Sequence, residues 1–104
     1  MPRGISFTTI TVLHAVASGS RHGFDIIDAT GLPSGTVYPA LGRLERDGLV
    51  RSSWEDAAAA RQEKRPPRRY YRVTAQGSRV LETELTRYRA LAPIRTPSPS
   101  RSRG

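Results

Sequence analysis

The chain has no cysteine, one methionine, one tryptophan and two histidines in 104 residues. Without cysteine, disulfides and thiolate metal sites are excluded, and a reducing cytoplasm is the plainer place of action. Two histidines with no constellation of carboxylates around them make a poor metal site or acid–base pair. We expect His14 to pack and His22 to open a helix. No Ser/His/Asp arrangement, phosphate loop or glycine-rich nucleotide fingerprint is present, so neither an enzyme nor a cofactor is expected. Long apolar runs are missing too: none approaches the roughly 18 residues of a membrane span. The start of the chain imitates a secretory signal, with Arg3, a semi-apolar stretch and Ala15-Val16-Ala17. Thr8, Thr9, Thr11 and His14 interrupt that stretch, and we expect it to fold instead.

Acidic residues are also scarce, nine against 17 basic ones, for a net charge of +8. This balance favours a polyanionic partner, nucleic acid or an anionic membrane. The length allows one small domain, whose modest core gains from a partner subunit.

What is there is helical for its first half. Residues 5 to 18 read as a helix with Phe7, Ile10, His14 and Ala17 on one side. Ile5 and Val12 point elsewhere, so the helix is apolar all round and calls for burial on several sides, including against a second subunit. Gly19-Ser20 ends it. A shorter helix runs from about His22 to Thr30 with Phe24 and Ile27 at i and i+3, and Gly31 and Pro33 end it. The next stretch, Leu32 to Leu49, organises the chain. Val37, Leu41 and Leu44 share one helix face. Gly35, Thr36, Pro39, Gly42, Arg43 and Arg46 lie opposite. We expect Ser34 to cap this helix, Gly48 to end it in a left-handed turn, and Pro39 to kink it or delay its start.

A polar half follows. Leu49 to Trp54 reads as a short strand. Residues 55 to 68 are polar and alanine-rich and end in Pro-Pro, which reads as a long basic loop; Ala57 to Ala60 can at most nucleate a helical turn. RRYYRV, residues 68 to 73, reads as the returning strand. Trp54, Tyr70 and Tyr71 are expected to pack together and anchor the hairpin. Thr74 caps a last helix, Ala75 to Ala92, with one stripe of Leu81, Leu85, Tyr88 and Ala92. Residues 93 to 104 are proline, serine and arginine and are expected to stay disordered; Arg95, Arg101 and Arg103 belong to this solvated tail.

The order is therefore helix, helix, helix, strand, strand, helix: a mainly α domain with a β-hairpin, spanning residues 1 to 92. A helix-turn-helix followed by a hairpin is a winged-helix plan. The third helix has an apolar back and a slim, cationic front, which suits the major groove of double-stranded DNA. Its candidate contacts are Ser34, Gly35, Thr36, Tyr38, Pro39 and Arg43, with Thr36, Tyr38 and Arg43 as base readers. The wing carries Arg61, Lys64, Arg65, Arg68, Arg69 and Arg72 against one acid, Glu63. Of these, Arg61, Lys64, Arg65, Arg68 and Arg69 are the candidate phosphate contacts. Ile5, Val12, Leu81, Leu85 and Tyr88 are the candidate homodimer seam. The rival readings are a winged helix used as a protein–protein module and a nonspecific nucleic-acid binder.

Three segments carry a family resemblance: His22-Gly23-Phe24, Gly35-Thr36-Val37-Tyr38-Pro39-Ala40-Leu41, and Arg69-Tyr70-Tyr71-Arg72-Val73-Thr74. Together, and in this order, they make residues 5 to 92 resemble the PadR family of bacterial transcription regulators. The resemblance implies a dimeric repressor on a palindromic operator, with the first and last helices forming the dimer. It also implies that a small aromatic or drug-like effector relieves some members. This chain departs from the pattern in its short last helix, which lacks the tryptophan that compact drug-binding members place at the dimer centre.

Overall fold

The structure is a computed structural model and describes residues 5–91. Its elements run α1 (Phe7–Ala17), α2 (Gly23–Thr30), α3 (Ser34–Arg46), β1 (Val50–Trp54), α4 (Ala57–Gln62), β2 (Arg69–Val73) and α5 (Ala75–Leu91). Residues 93 to 104, Ala92 and Arg3 lie outside the described part.

Packing onto α1 explains most of the architecture. Ser6 caps this helix by accepting from the Thr9 amide. Thr9, Ile10, Val12, Leu13, Ala15 and Val16 are buried, and α2, α3, β2 and α5 all pack against it. The expected stripe was displaced. His14 and Ala17 are exposed, and Phe7 is 65% exposed. A helix apolar all round gives periodicity no single answer, and only its neighbours decide which side closes. In α2 the buried residues are Gly23 and Ile26, while Phe24 is exposed. Ile27 packs against the core at its edge; Gly23 has no side chain to announce the inner face, and Phe24 lies outside it.

α3 contributes Val37, Ala40, Leu41 and Leu44 to the same core. Pro33, not Ser34, occupies its cap position, and no side chain caps it. Pro39 sits inside the helix, which starts at Ser34 all the same. Proline here removes a single backbone bond. Gly48 follows the helix at φ 77°, as a left-handed terminator requires.

β1 and β2 pair antiparallel, with Val50 opposite Val73, Ser52 opposite Tyr71 and Trp54 opposite Arg69. The segment 21–22 adds a short third edge: His22 bridges to Tyr70, and the Tyr71 amide donates to the Arg21 carbonyl at 2.7 Å. The hairpin is thus stitched to the α1–α2 connection. Its long connection is partly helical, because Asp56 accepts from the Ala58 amide and starts α4, whose Ala60 is buried. The aromatic anchor is not formed as expected. Tyr70 and Tyr71 are neighbours in one strand and face opposite ways, and Trp54 is 66% exposed.

Thr74 joins the hairpin to α5. Its hydroxyl accepts from the Gly77 amide and donates toward the carbonyls of Gly48 and Leu49, at 2.8 and 3.1 Å. α5 then lies so close that a Cβ on Gly77 would stand 2.0 Å from the Leu49 carbonyl oxygen. Backbone cannot yield there as a side-chain tip can. Gly77→Ala should therefore lose about 1–3 kcal/mol, the range for overpacking, measured by chemical denaturation.

Candidate nucleic-acid interface

Residues about 100° apart around a helix axis divide α3 into two sides. Val37, Ala40, Leu41 and Leu44 close one of them. Gly35, Pro39, Gly42 and Arg46, at spacings of four, three and four, form the stripe pointing away from it. Gly35, Pro39 and Arg46 are exposed. A Cβ on Gly35 would meet nothing within 4 Å, and one on Gly42 would meet only the tip of Arg46, at 3.8 Å. Neither glycine is demanded by internal packing. Arg46 was not among the expected contacts, although the same spacing places it at the C-terminal end of the stripe.

The flanks of α3 are occupied differently. Ser34 is exposed and Thr36 is half-buried, with no partner for the Thr36 hydroxyl among the described residues. Tyr38 is 45% exposed. Its hydroxyl end rests on Gly23, where a Cβ would come within 2.0 Å of it. The aromatic ring is therefore a strut between α3 and α2, and it requires the glycine of the His22-Gly23-Phe24 segment. Arg43 is exposed, and its Nη2 donates to the buried Thr9 hydroxyl at 3.1 Å. That bond ties α3 to α1 and holds the guanidinium on the flank.

On the wing, the expected phosphate contacts separate into two groups. Arg61 and Lys64 are exposed and have no carboxylate within 4 Å among the described residues. Arg65, Arg68 and Arg69 are engaged internally. Arg65 grips Glu55 through two bonds of 2.6 and 2.8 Å. Arg68 lies 3.2 Å from the His22 ring through Nη1, while its backbone amide donates to Glu55 at 3.1 Å. Arg69 donates to Ser52 at 3.0 Å and to Glu45 at 3.3 Å, and covers the Trp54 ring at 5.5 Å. These three stiffen the wing and fix it to α3 and to α2. Sequence gives no warning of this, because Glu45 and Glu55 are 24 and 10 residues from their partners.

The seam candidates also divide. Val12 is 0% exposed and Leu81 8%, both within the core of this one chain. They are withdrawn from the seam, because a partner cannot reach them. Ile5, Leu85 and Tyr88 are half-buried at the edge of that core. Tyr88 donates to the Ile5 carbonyl at 3.3 Å and meets Phe7 edge-on at 5.4 Å.

A helix-turn-helix whose third helix presents a bare stripe, beside a braced basic hairpin, defines the winged-helix DNA-binding regulators. The comparisons agree. The model of the transcriptional regulator PadR-like family matches residues 12–83, and the chain belongs to that family. Among solved structures, a PadR family transcription regulator from Clostridium difficile R20291 aligns with a TM-score of 0.74 at 22% identity, covering 86% of this chain and 94% of that one. A PadR family transcriptional regulator from Eggerthella lenta DSM 2243 aligns at 0.64 with 28% identity, covering 82% and 76%. BpsR of Bordetella bronchiseptica, described as regulated in its DNA binding by 6-hydroxynicotinic acid, aligns at 0.70 with 19% identity, covering 95% and 73%. No sequence among curated proteins matches. The protein is a DNA-binding transcriptional regulator, and no helix among its described residues is long and apolar enough to cross a membrane.

The Glu55 clasp gives the wing a pH signature. The hydrogen bond from Arg65 is the main cause, opposed by desolvation and aided by the Arg68 amide, and it lowers the Glu55 pKa from 4.5 to about 2. The lowered value stabilises the wing fully above pH 4.5, and the effect fades as pH falls toward about 2. Trp54, the sole tryptophan, adjoins the clasp. Its emission should change across that interval in the native chain. In Glu55→Gln the acid transition should vanish; a transition unchanged in that variant would assign it elsewhere.

Proposed function

We propose that the chain is a cytoplasmic repressor that binds an inverted-repeat operator as a homodimer, with α3 in the major groove. The observation that carries this reading is the stripe Gly35, Pro39, Gly42 and Arg46. A helix interior loses roughly 0.5–1 kcal/mol for each glycine in place of alanine, and nothing inside the protein requires these two. Bulk has been kept off the one face that a groove wall would meet. Ser34, Gly35, Thr36 and Pro39 lie at the leading end of the helix, where base edges come nearest. Arg46 and the flanking Arg43 follow behind, and Arg61 and Lys64 reach phosphates from the wing. Tyr38 serves mainly as the strut.

Phe7, Leu85, Tyr88 and Ile5 support the homodimer, since they leave apolar edge on α1 and α5 beside an already closed core. Two groove helices about 34 Å apart would then meet successive turns of a palindrome. Relief by a small aromatic effector is carried over from the family.

The rivals are separated by competition. Labelled duplex from the region upstream of the chain's own coding sequence should resist displacement by random duplex and by RNA. Equal displacement by either would leave a nonspecific binder, and no duplex binding at all would leave a protein–protein module. The stripe has its own test. Gly42→Ala should raise stability by about 0.5–1 kcal/mol and yet weaken binding to the upstream duplex. Unchanged binding would show that this face does not enter the groove.

A further inference from the structure

His22 is the histidine that the fold closes in, and the reading proposed above gives it no task. Its side chain is 13% exposed, whereas His14 is exposed on α1. It stands where the short third edge meets the wing. His22 bridges to Tyr70, and beside it the Arg21 carbonyl accepts from the Tyr71 amide.

Two groups of opposite sign approach the same ring nitrogen. Arg68 Nη1 lies 3.2 Å from Nε2, and Asp25 Oδ2 lies 3.4 Å from it. The first comes from the wing and the second from α2. Arg68 has no carboxylate within 4 Å among the described residues, so its guanidinium rests on the ring. The other ring nitrogen, Nδ1, is buried with no partner among the described residues. The rings of Phe24 and Tyr70 stand 6.4 and 5.8 Å from the imidazole. Tyr70 carries Arg21 over its face and donates to Glu55, which also accepts from the Arg68 amide. Tyr38 of α3 rests on the adjoining Gly23.

The two contacts at Nε2 exclude each other. A guanidinium only donates, so Arg68 needs a bare lone pair there, which leaves the hydrogen of the neutral ring on Nδ1. An ionised carboxylate only accepts, so Asp25 needs a hydrogen on Nε2. In most histidines a bond at one nitrogen settles the state of the other; here Nδ1 makes none.

We propose that His22 is a protonation-controlled latch between the wing and the helix-turn-helix. The neutral ring accepts from Arg68 and ties the wing to the start of α2. A proton added at Nε2 removes that acceptor, sets one cation against another and leaves Asp25 as the partner of the ring. Imidazole is the side chain whose charge changes between about pH 5 and 8. Glu55, with its pKa lowered to about 2, stays ionised throughout, so its clasp persists while the latch opens. The latch belongs to the folded chain and operates wherever α3 binds.

Nitrogen NMR of the ring tests this in the wild-type chain. Near pH 8 the His22 hydrogen should sit on Nδ1 with Nε2 bare, and near pH 5.5 both nitrogens should carry one. Over the same interval the Tyr71 amide should exchange about 2- to 10-fold faster relative to His22→Gln at the same pH, the worth of one hydrogen bond. Glutamine offers Arg68 an acceptor that does not titrate. Arg68→Gln should exchange at the raised rate at both ends of the interval. Asp25→Asn keeps an acceptor for the Arg21 amide without the charge, and should move the transition to lower pH. His14→Gln should leave it in place.

A His22 hydrogen on Nε2 at the alkaline end would assign the ring to Asp25 alone and overturn the latch, with no variant needed. Tyr71 exchange that follows pH equally in the wild-type chain and in His22→Gln would overturn it as well.

Discussion

The structure depends on how α3 is seated. Four of its side chains, Val37, Ala40, Leu41 and Leu44, are buried on one side, and nearly all of its hydrophobic attachment passes through them. Burial of such side chains is worth about 1.5–3 kcal/mol each for the larger ones, enough to hold a helix that carries two glycines and a proline. The helix can therefore leave its other side bare. Tyr38 on Gly23 and Arg43 on Thr9 add lateral ties to α2 and α1. A reading element needs this arrangement, because contacts to base edges are only as specific as the helix is well placed.

The wing is seated by polar means. Its inner rung at Val50 and Val73 continues the core. Beyond it, Ser52 and Arg69 hold Glu45 of α3, and Glu55 gathers Arg65, the Arg68 amide and the Tyr70 hydroxyl. A two-stranded ribbon is marginal by itself; here the segment 21–22 lengthens it on one edge and ion pairs fix its base and tip. Exposed single pairs contribute little to stability. A bidentate, half-buried pair that also accepts a backbone amide is a firmer joint. The basic residues of the wing are accordingly of two kinds: Arg65 and Arg69 brace it through glutamates, while Arg61 and Lys64 have no carboxylate within 4 Å among the described residues.

The sequence revealed the order of elements and the family, because both rest on local signals. The glycine stops, the buried spacing in α3 and the Thr74 cap are read within a few residues of themselves. The inner faces of α1 and α2 were less legible for the opposite reason. Burial of Leu13 and Ile26 is decided by neighbours distant in sequence, and Gly23 marks an inner face by lacking a side chain. α4 leaves little trace in the sequence because it is six residues long and depends on the Asp56 cap. The roles of Arg65, Arg68 and Arg69 were invisible for want of register: a run of basic residues looks uniform until strand pairing sorts it. Val12 and Leu81 were assigned to a partner because a chain this short was expected to close its core with help, and α1 and α5 close it themselves.

Glycines in this chain show how a functional face is told from a structural one. Gly77 faces backbone that leaves no room for a side chain, and Gly23 is covered by the Tyr38 ring, so packing accounts for both. Gly42 has room for one, and so does Gly35. The same distinction applies to charge. Arg65 and Arg69 are accounted for by their glutamates, while Arg51 and Arg72 oppose each other across one rung. Sequences that fold well agree with their structures at every level except where another demand intervenes. Among the described residues the disagreements are the bare glycines on α3 and the facing Arg51 and Arg72 on the wing sheet. Slimness on a helix and like charges across a rung both weaken an isolated protein.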